Sequence, residues 1–362
     1  MRITCTALLC LALIGCGGES TSTDINAEAK PAQTFSWKLV TTWPKNFPGL
    51  GLAPEYFAEN VERMSNGRLK IKVFGAGQLV PAFEVFDAVS QGTAEMGHGA
   101  AYYWQGKVPA SALFTSVPFG LNAQEMNAWL HYGGGLELWR ELYAPFNLVP
   151  YAGGNTGVQM AGWFNREINS MADIKGLKMR IPGLGGEVFT RAGGMSVQRS
   201  GGEIYTSMQT GEIDAAEWVG PYNDLAFGFH QIAKYYYYPG WQEPGPTLEL
   251  IINKQALDSL PADLQAIVES AARAANQNML DEYTARNNAA LIELVETHGV
   301  QVKKLPDDVL AELQRISAIV VDEMAAENPL AQRITDSMRA FAQQSEAYHG
   351  ISEEAYYEAR GK

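Results

Sequence analysis

Cysteine is nearly absent from this chain of 362 residues: the only three are Cys5, Cys10 and Cys16, all at the extreme N-terminus. If a leader is removed ahead of Cys16, the rest of the chain has no disulfide, no thiol nucleophile and no cysteine-based metal site. Runs of positive charge are missing too. The formal net charge is −13 and no basic block exceeds a dipeptide, which excludes the electrostatic footprint of a nucleic-acid binder. Beyond the first residues no stretch approaches eighteen consecutive apolar side chains, so no further membrane crossing is expected. The five histidines (His98, His131, His230, His298, His349) fall into no HxH or HExxH spacing. A G-x-S-x-G elbow, a phosphate-cradling loop and a dinucleotide fingerprint are also lacking. The glycine-rich stretches Gly133–Gly135, Gly153-Gly154, Gly183–Gly186 and Gly193-Gly194 lack those spacings and read as turns. An enzyme reading therefore has no activated nucleophile or acid–base pair to rest on.

The N-terminus is informative. Met1-Arg2, an apolar run from Ile3 to Ile14 and Gly15-Cys16-Gly17-Gly18 make an export signal too short to span a bilayer. Leu13-Ile14-Gly15-Cys16 matches the bacterial lipobox, in which the Cys thiol is acylated. The expectation is a lipoprotein signal over residues 1–16, lipidation of Cys16 and residence in the periplasm or at the cell surface, anchored to the membrane. An ordinary cleaved signal that contains a Cys is the alternative. Residues 17–34 carry few bulky apolar side chains and cannot offset their ordering entropy, so they read as a flexible tether.

Further on, strand-like runs alternate with amphipathic helical ones, the pattern of an α/β fold with mostly parallel sheets. Ser36–Thr42 and Arg68–Phe74 alternate apolar and polar residues, and Leu52–Met64 between them has helical spacing, giving one crossover unit. Val85–Gly97 and Ile204–Trp218 echo each other: a helix, a glycine (Gly92, Gly211), then a short strand. Two such units suggest two lobes facing one another. Val149–Phe164 and Leu177–Pro182 read as strands of the second lobe. From Pro261 the 3.6-residue period runs to His298-Gly299 without internal Gly or Pro, a helix long enough to serve both lobes as a spine. Val300–Leu305 reads as a last strand, Pro306–Tyr348 as helical, and the remainder as a polar tail.

Three features can carry chemistry. Arg180 ends an apolar strand, and its planar fork suits a carboxylate in two parallel bonds; a structural ion pair with Asp or Glu is the other reading. Glu217 and Trp218 follow small residues at a strand end, where an acid is costly to bury unless paired or bound to a cation; capping the next helix is the alternative. Glu243 lies in the rigid loop Pro239–Pro244. With the amide of Gln159, these carboxylates form a set of hard oxygens suited to Na⁺ or Ca²⁺ rather than Zn²⁺. Tyr102–Trp104 and Tyr235–Tyr238 can supply walls, or simply pack the core.

At these positions the chain resembles the solute-binding subunits of TRAP transporters, the DctP-type family. The resemblance is carried by Gly75–Leu79, Val89–Gly97, Asp173–Pro182 and Thr210–Val219. It implies a two-lobed periplasmic-binding-protein-like α/β fold with a long spine helix and a C-terminal helical extension. Lobe I is expected over 35–153 plus about 244–280, and lobe II over 154–243 plus about 281–327. Residues 328–362 would form a C-terminal helix used for homodimerisation, with Asn328–Ala347 as its counterpart in the family. The resemblance further implies that Arg180 pairs with a ligand carboxylate. It places a bridging metal ion (Na⁺ or Ca²⁺) on Gln159, Glu217, Glu243 and a backbone oxygen of Trp218, and makes Asn155, Tyr103 and Trp218 walls of the ligand pocket. The implied solute is a small organic acid, a 2-oxo or 2-hydroxy monocarboxylate such as pyruvate or lactate, delivered to TRAP membrane permease subunits. A longer sugar acid or an aromatic acid bound without metal is the alternative within the class; a lipid-anchored enzyme or a structural surface lipoprotein is the alternative outside it. Arg180→Ala is expected to abolish binding and leave the fold intact.

Overall fold

The structure, a computed structural model, describes residues 33–361. The lipobox, Cys16 and all but the end of the expected tether lie outside the described residues. The strands are β1 (Phe35–Thr41), β2 (Leu69–Phe74), β3 (Met96–Gly99), β4 (Leu148–Asn155), β5 (Gly162–Phe164), β6 (Lys178–Arg180), β7 (Met195–Val197), β8 (Ala215–Ala216), β9 (Tyr235–Tyr238), β10 (Thr247–Asn253) and β11 (Gln301–Lys304). They form two sheets, ordered β2-β1-β3-β10-β4 and β11-β9-β5-β8-β6-β7.

The opening unit is as expected: β1 and β2 pair in parallel around the helix Ala53–Met64. The two echoed units each deliver a strand to a different sheet, β3 to the first and β8 to the second. The sheets are mixed rather than mostly parallel. β10 runs antiparallel to both β3 and β4, and β5 runs antiparallel to both β8 and β9. The reason is that two of the three passages between the sheets, the crossings over residues 155–162 and 238–247, enter the next sheet against its direction, whereas the third, through the helix Ala262–Glu296, brings in β11 parallel to β9. Of the run Val149–Phe164, expected as strands of one lobe, β4 accordingly lies in the first sheet and β5 in the second.

Two glycine stretches are not turns. Gly153-Gly154 lies inside β4, where an added Cβ would strike Leu250 and Met279 at 2.7 Å. Gly183–Gly186 opens the helix Gly183–Arg191, packed so closely on Ile181 and Gln242 that side chains would collide.

The helix Ala262–Glu296 runs 35 residues, about 52 Å at 1.5 Å per residue. Its first half buries Leu264, Val268 and Ala271 in one core with Leu39, Leu69 and Leu250 of the first sheet. Further along, Met279, Tyr283 and Leu294 join the other core, with Trp163 and Tyr236 of the second sheet. One helix thus serves both sheets.

Helices Asp307–Ala326 and Pro329–His349 follow. The second buries Ala331, Ile334 and Met338 and ties back to its own chain through Arg333–Glu141 at 2.8 Å and Trp129–Ser337 at 3.1 Å. The expected polar tail contains another helix, Glu353–Arg360, where the sequence offers only Glu353-Glu354 in the first turn and Arg360 in the last to favour it.

Candidate functional site

Sheet pairing brings the key charges together. β6 and β8 are parallel with Arg180 opposite Ala216, and the Glu217 N–H donates to the Arg180 carbonyl at 3.0 Å. Arg180, the last residue of β6, and Glu217, the first after β8, thus lie side by side at the carboxyl ends of these strands, where ligands of α/β proteins bind. Tyr103 arrives from the turn after β3 in the first sheet. Gln159 and Glu243 come from the two inter-sheet crossings and are linked by Gln159 N–H donating to the Glu243 carbonyl at 3.1 Å.

Arg180 is 1% exposed and Glu217 is 0% exposed, and they form a direct ion pair. The guanidinium also donates to the Glu217 carbonyl at 3.0 Å, to the Arg199 carbonyl at 3.2 Å and to the Tyr103 hydroxyl at 3.2 Å. Its face lies 5.2 Å from the Trp218 ring. Most of the fork is therefore engaged by the protein, and one Nη2 N–H, beside the Tyr103 hydroxyl, has no protein partner. The structural reading of Arg180, an ion pair with a buried acid, is realised with Glu217, and what remains unpaired is a single N–H rather than a two-pronged fork. The expectation that Arg180→Ala leaves the fold intact does not survive this geometry, because the substitution strands a buried carboxylate.

The acceptors are less well served. Gln159 Oε1, Glu217 Oε2 and both carboxylate oxygens of Glu243 are buried without a hydrogen-bond partner. Such groups are rare, because each forfeits solvation worth about 1–3 kcal/mol or more. Burial pushes the Glu217 carboxyl up to about 7, against the pull of Arg180. Burial, and then the charge of Glu217, push Glu243 well above the ordinary range. These unpartnered hard oxygens form a donor set able to hold Na⁺ or Ca²⁺. Among the described residues no group of three or more His, Cys, Asp or Glu is placed to hold a metal, so a cation here would need amide and carbonyl oxygens beside the two carboxylates.

The remaining predicted residues differ in what they have free. Trp218, 4% exposed, has an unpartnered indole N–H and packs edge-on against Trp43 at 6.1 Å and Phe227 at 5.2 Å. Asn155 is buried, but its amide is fully used: it donates to the Gly245 carbonyl at 3.0 Å and accepts from Gly157 N–H at 2.9 Å. It pins the two crossings together rather than offering a free group. Sequence reading missed Gln242, 2% exposed with an unpartnered Oε1, and Trp43, tilted against Tyr103 at 6.0 Å. Gln242 sits beside Glu243 in sequence, a signal that was there to use; Trp43 closes the wall only through tertiary packing. A cavity of about 980 Å³ lies elsewhere, between Phe119–Glu125 and the C-terminal helices.

Residues 39–328 match the family model described as bacterial extracellular solute-binding protein, family 7. The chain belongs to this family. It is a family 7 solute-binding protein and not an enzyme. It is 44% identical to a monocarboxylate 2-oxoacid-binding periplasmic protein of Nostoc sp., over 95% of this chain and 93% of the relative. Among solved structures it resembles a TRAP periplasmic solute-binding protein of Pseudoalteromonas atlantica with bound sodium and pyruvate. That match has 42% identity and a TM-score of 0.88, over 90% of this chain and 99% of the other. A Colwellia psychrerythraea counterpart with bound calcium and pyruvate matches at 41% identity and a TM-score of 0.88, over 90% and 100%. The family 7 fold, with its two sheets and long spine helix, is the one expected from sequence.

Proposed function

We propose that this family 7 protein captures a small 2-oxo or 2-hydroxy monocarboxylate together with Na⁺ or Ca²⁺ and presents it to TRAP membrane permease subunits. The observation that carries the reading is the set of buried, unpartnered oxygens on Gln159, Glu217 and Glu243 beside the buried donor Arg180. With both acids ionised, Arg180 leaves the pocket one negative charge in excess and a bound carboxylate adds another. A cation offsets that excess, and the donor set fits one. Gln159, Glu217, Glu243 and the backbone oxygen of Trp218 would hold it, and the chemistry it would supply there is charge neutralisation. Arg180 Nη2 and the Tyr103 hydroxyl orient the carboxylate, and Trp218 closes the wall. Asn155 acts by holding the wall in place. The relatives with pyruvate bound beside sodium or calcium support the same reading.

The lobes are assigned as 35–153 plus about 244–280, and 154–243 plus about 281–327, closing over the solute. The two sheets and the spine shared between them support this division. Lipidation at Cys16 and anchoring to the membrane belong to the same proposal, since a tether raises the effective concentration of the cleft near its permease. Homodimerisation through the C-terminal helices is supported by exposed Tyr348, Ile351, Tyr356 and Tyr357. Mass spectrometry of the solute released on denaturing freshly purified protein tests the ligand class. A small aliphatic 2-oxo or 2-hydroxy monocarboxylate such as pyruvate or lactate is expected; a sugar acid or an aromatic acid would overturn that part. Cys16→Ser should move the protein from the membrane to the soluble fraction of cells, and an unchanged distribution would remove the anchor.

A further inference from the structure

We propose that Asn223 is a positioning residue that clasps the two lobes together without touching the solute, and so sets how long a bound solute is held. The inference rests on the closing cleft proposed above.

Asn223 lies on the helix Pro221–Phe227, which begins two residues after Trp218-Val219. It is fully buried, and both ends of its amide are used. Nδ2 donates to the Pro48 carbonyl at 2.9 Å, and Oδ1 accepts from the Tyr283 hydroxyl at 2.6 Å. Pro48 belongs to the loop that follows β1 of the first sheet, whereas the Asn223 helix follows β8 of the second, and Tyr283 lies on the spine. One side chain therefore ties together both lobes and the helix they share. An apolar contact accompanies it: Phe47 of the same loop stacks on Phe227 at 4.3 Å.

The loop is shaped for this contact. Gly49 has φ +63°, and a Cβ there would come within 2.5 Å of the Tyr283 hydroxyl. Only glycine lets the loop lie flat on that ring. The Pro221–Phe227 helix is meanwhile fixed to the spine by separate bonds, Tyr222 N–H to Asn287 Oδ1 at 3.0 Å and Tyr222 hydroxyl to Glu282 at 2.9 Å. Loss of Asn223 would leave that helix in place and release only the loop of the first lobe. An interaction made only when the lobes are together slows opening, so its removal shows in the dissociation rate.

The test compares Asn223→Ala, Gly49→Ala and Tyr283→Phe with the wild type. Pyruvate dissociation and association are followed by stopped-flow tryptophan fluorescence with Ca²⁺ present, and solute-free protein is measured by small-angle X-ray scattering. Asn223→Ala is expected to release pyruvate about 5-fold faster with association unchanged, the size of one net hydrogen bond. Gly49→Ala, which displaces the loop while leaving Asn223 intact, should do the same, while Tyr283→Phe keeps the Pro48 bond and should change release less than 2-fold. Equal release rates in Asn223→Ala and wild type would overturn the clasp, as would an equal effect of Tyr283→Phe. If the wild type binds no pyruvate, the proposed solute class fails, and scattering then decides the clasp on its own. A larger radius of gyration in Asn223→Ala and Gly49→Ala supports it, and an unchanged radius overturns it. If Asn223→Ala does not fold, Gly49→Ala decides the clasp by the same two readouts.

Discussion

Arg180→Ala is expected to cost the fold about 3–5 kcal/mol near pH 8, the usual cost of leaving one partner of a buried ion pair alone. Arg180 and Glu217 are 1% and 0% exposed, so water cannot screen the abandoned carboxylate. The substitution also removes donors to the Arg199 and Glu217 carbonyls and to the Tyr103 hydroxyl. Protonation offers a partial escape. Burial already holds the Glu217 carboxyl at about 7 against the attraction of Arg180, and without that attraction it rises further. A folded-state value raised above the unfolded one means that the native state binds the extra proton. Stability then falls as pH climbs through that window and is regained below it. Near pH 5.5 the carboxyl of the variant is neutral and the loss should shrink to about 1–2 kcal/mol, the worth of the lost hydrogen bonds. Glu217→Gln in the same background should restore most of the deficit at the higher pH. Urea unfolding of wild type, both single variants and the double variant, at the two pH values, gives the coupling energy directly. A loss below about 1 kcal/mol near pH 8, or an equal loss at both pH values, would refute the reasoning from a buried, stranded charge.

Two further predictions concern a buried acid of the first sheet and a glycine packed on Trp218. Glu249 is buried in β10 with only Trp104 Nε1 and the Tyr143 hydroxyl as partners, and burial pushes its carboxyl from near 4.5 up to about 7. Wild-type stability should therefore fall by about 3 kcal/mol from this group as pH rises between those values, and Glu249→Gln should flatten that slope in pH-dependent denaturation; an unchanged slope removes Glu249 as its source. Gly201→Ala would put a methyl 2.5 Å from the Trp218 ring, a clash worth about 1–3 kcal/mol, so solute affinity should drop roughly 5- to 100-fold with the secondary structure unchanged by circular dichroism.

The fold was legible where periodicity was unambiguous. The run from Pro261 to Gly299 has no internal breaker, and the helix found, Ala262–Glu296, matches it closely. The β1-helix-β2 opening also follows the alternation of Trp37, Leu39 and Ile71, Val73. The strand directions were not legible. Nothing local in Leu148–Asn155 reveals that it pairs with β10, nearly a hundred residues away, and is antiparallel to it. Glycine misled for a related reason: Gly153 and Gly154 are demanded by Leu250 and Met279 packing above them, contacts that exist only once the sheets are built. Around the pocket, Arg180 and Glu217 stood out because charges among apolar residues are costly. That Glu217 would take up both Nη1 donors of Arg180 depends on the register of β6 against β8, which no single-strand pattern carries.

The central claim is that a monocarboxylate and a hard cation are bound together. Isothermal titration of pyruvate into protein dialysed against a chelator in sodium-free buffer, before and after Ca²⁺ is restored, tests it most directly. If the two ligands meet at the proposed site beside the unpartnered oxygens of Gln159, Glu217 and Glu243, each should tighten the other. Pyruvate binding should be lost, or weakened at least about 10-fold, without the cation. It should return with Ca²⁺ in the wild type and fail to return in Glu243→Gln. Equal pyruvate affinity with and without the cation would contradict the account.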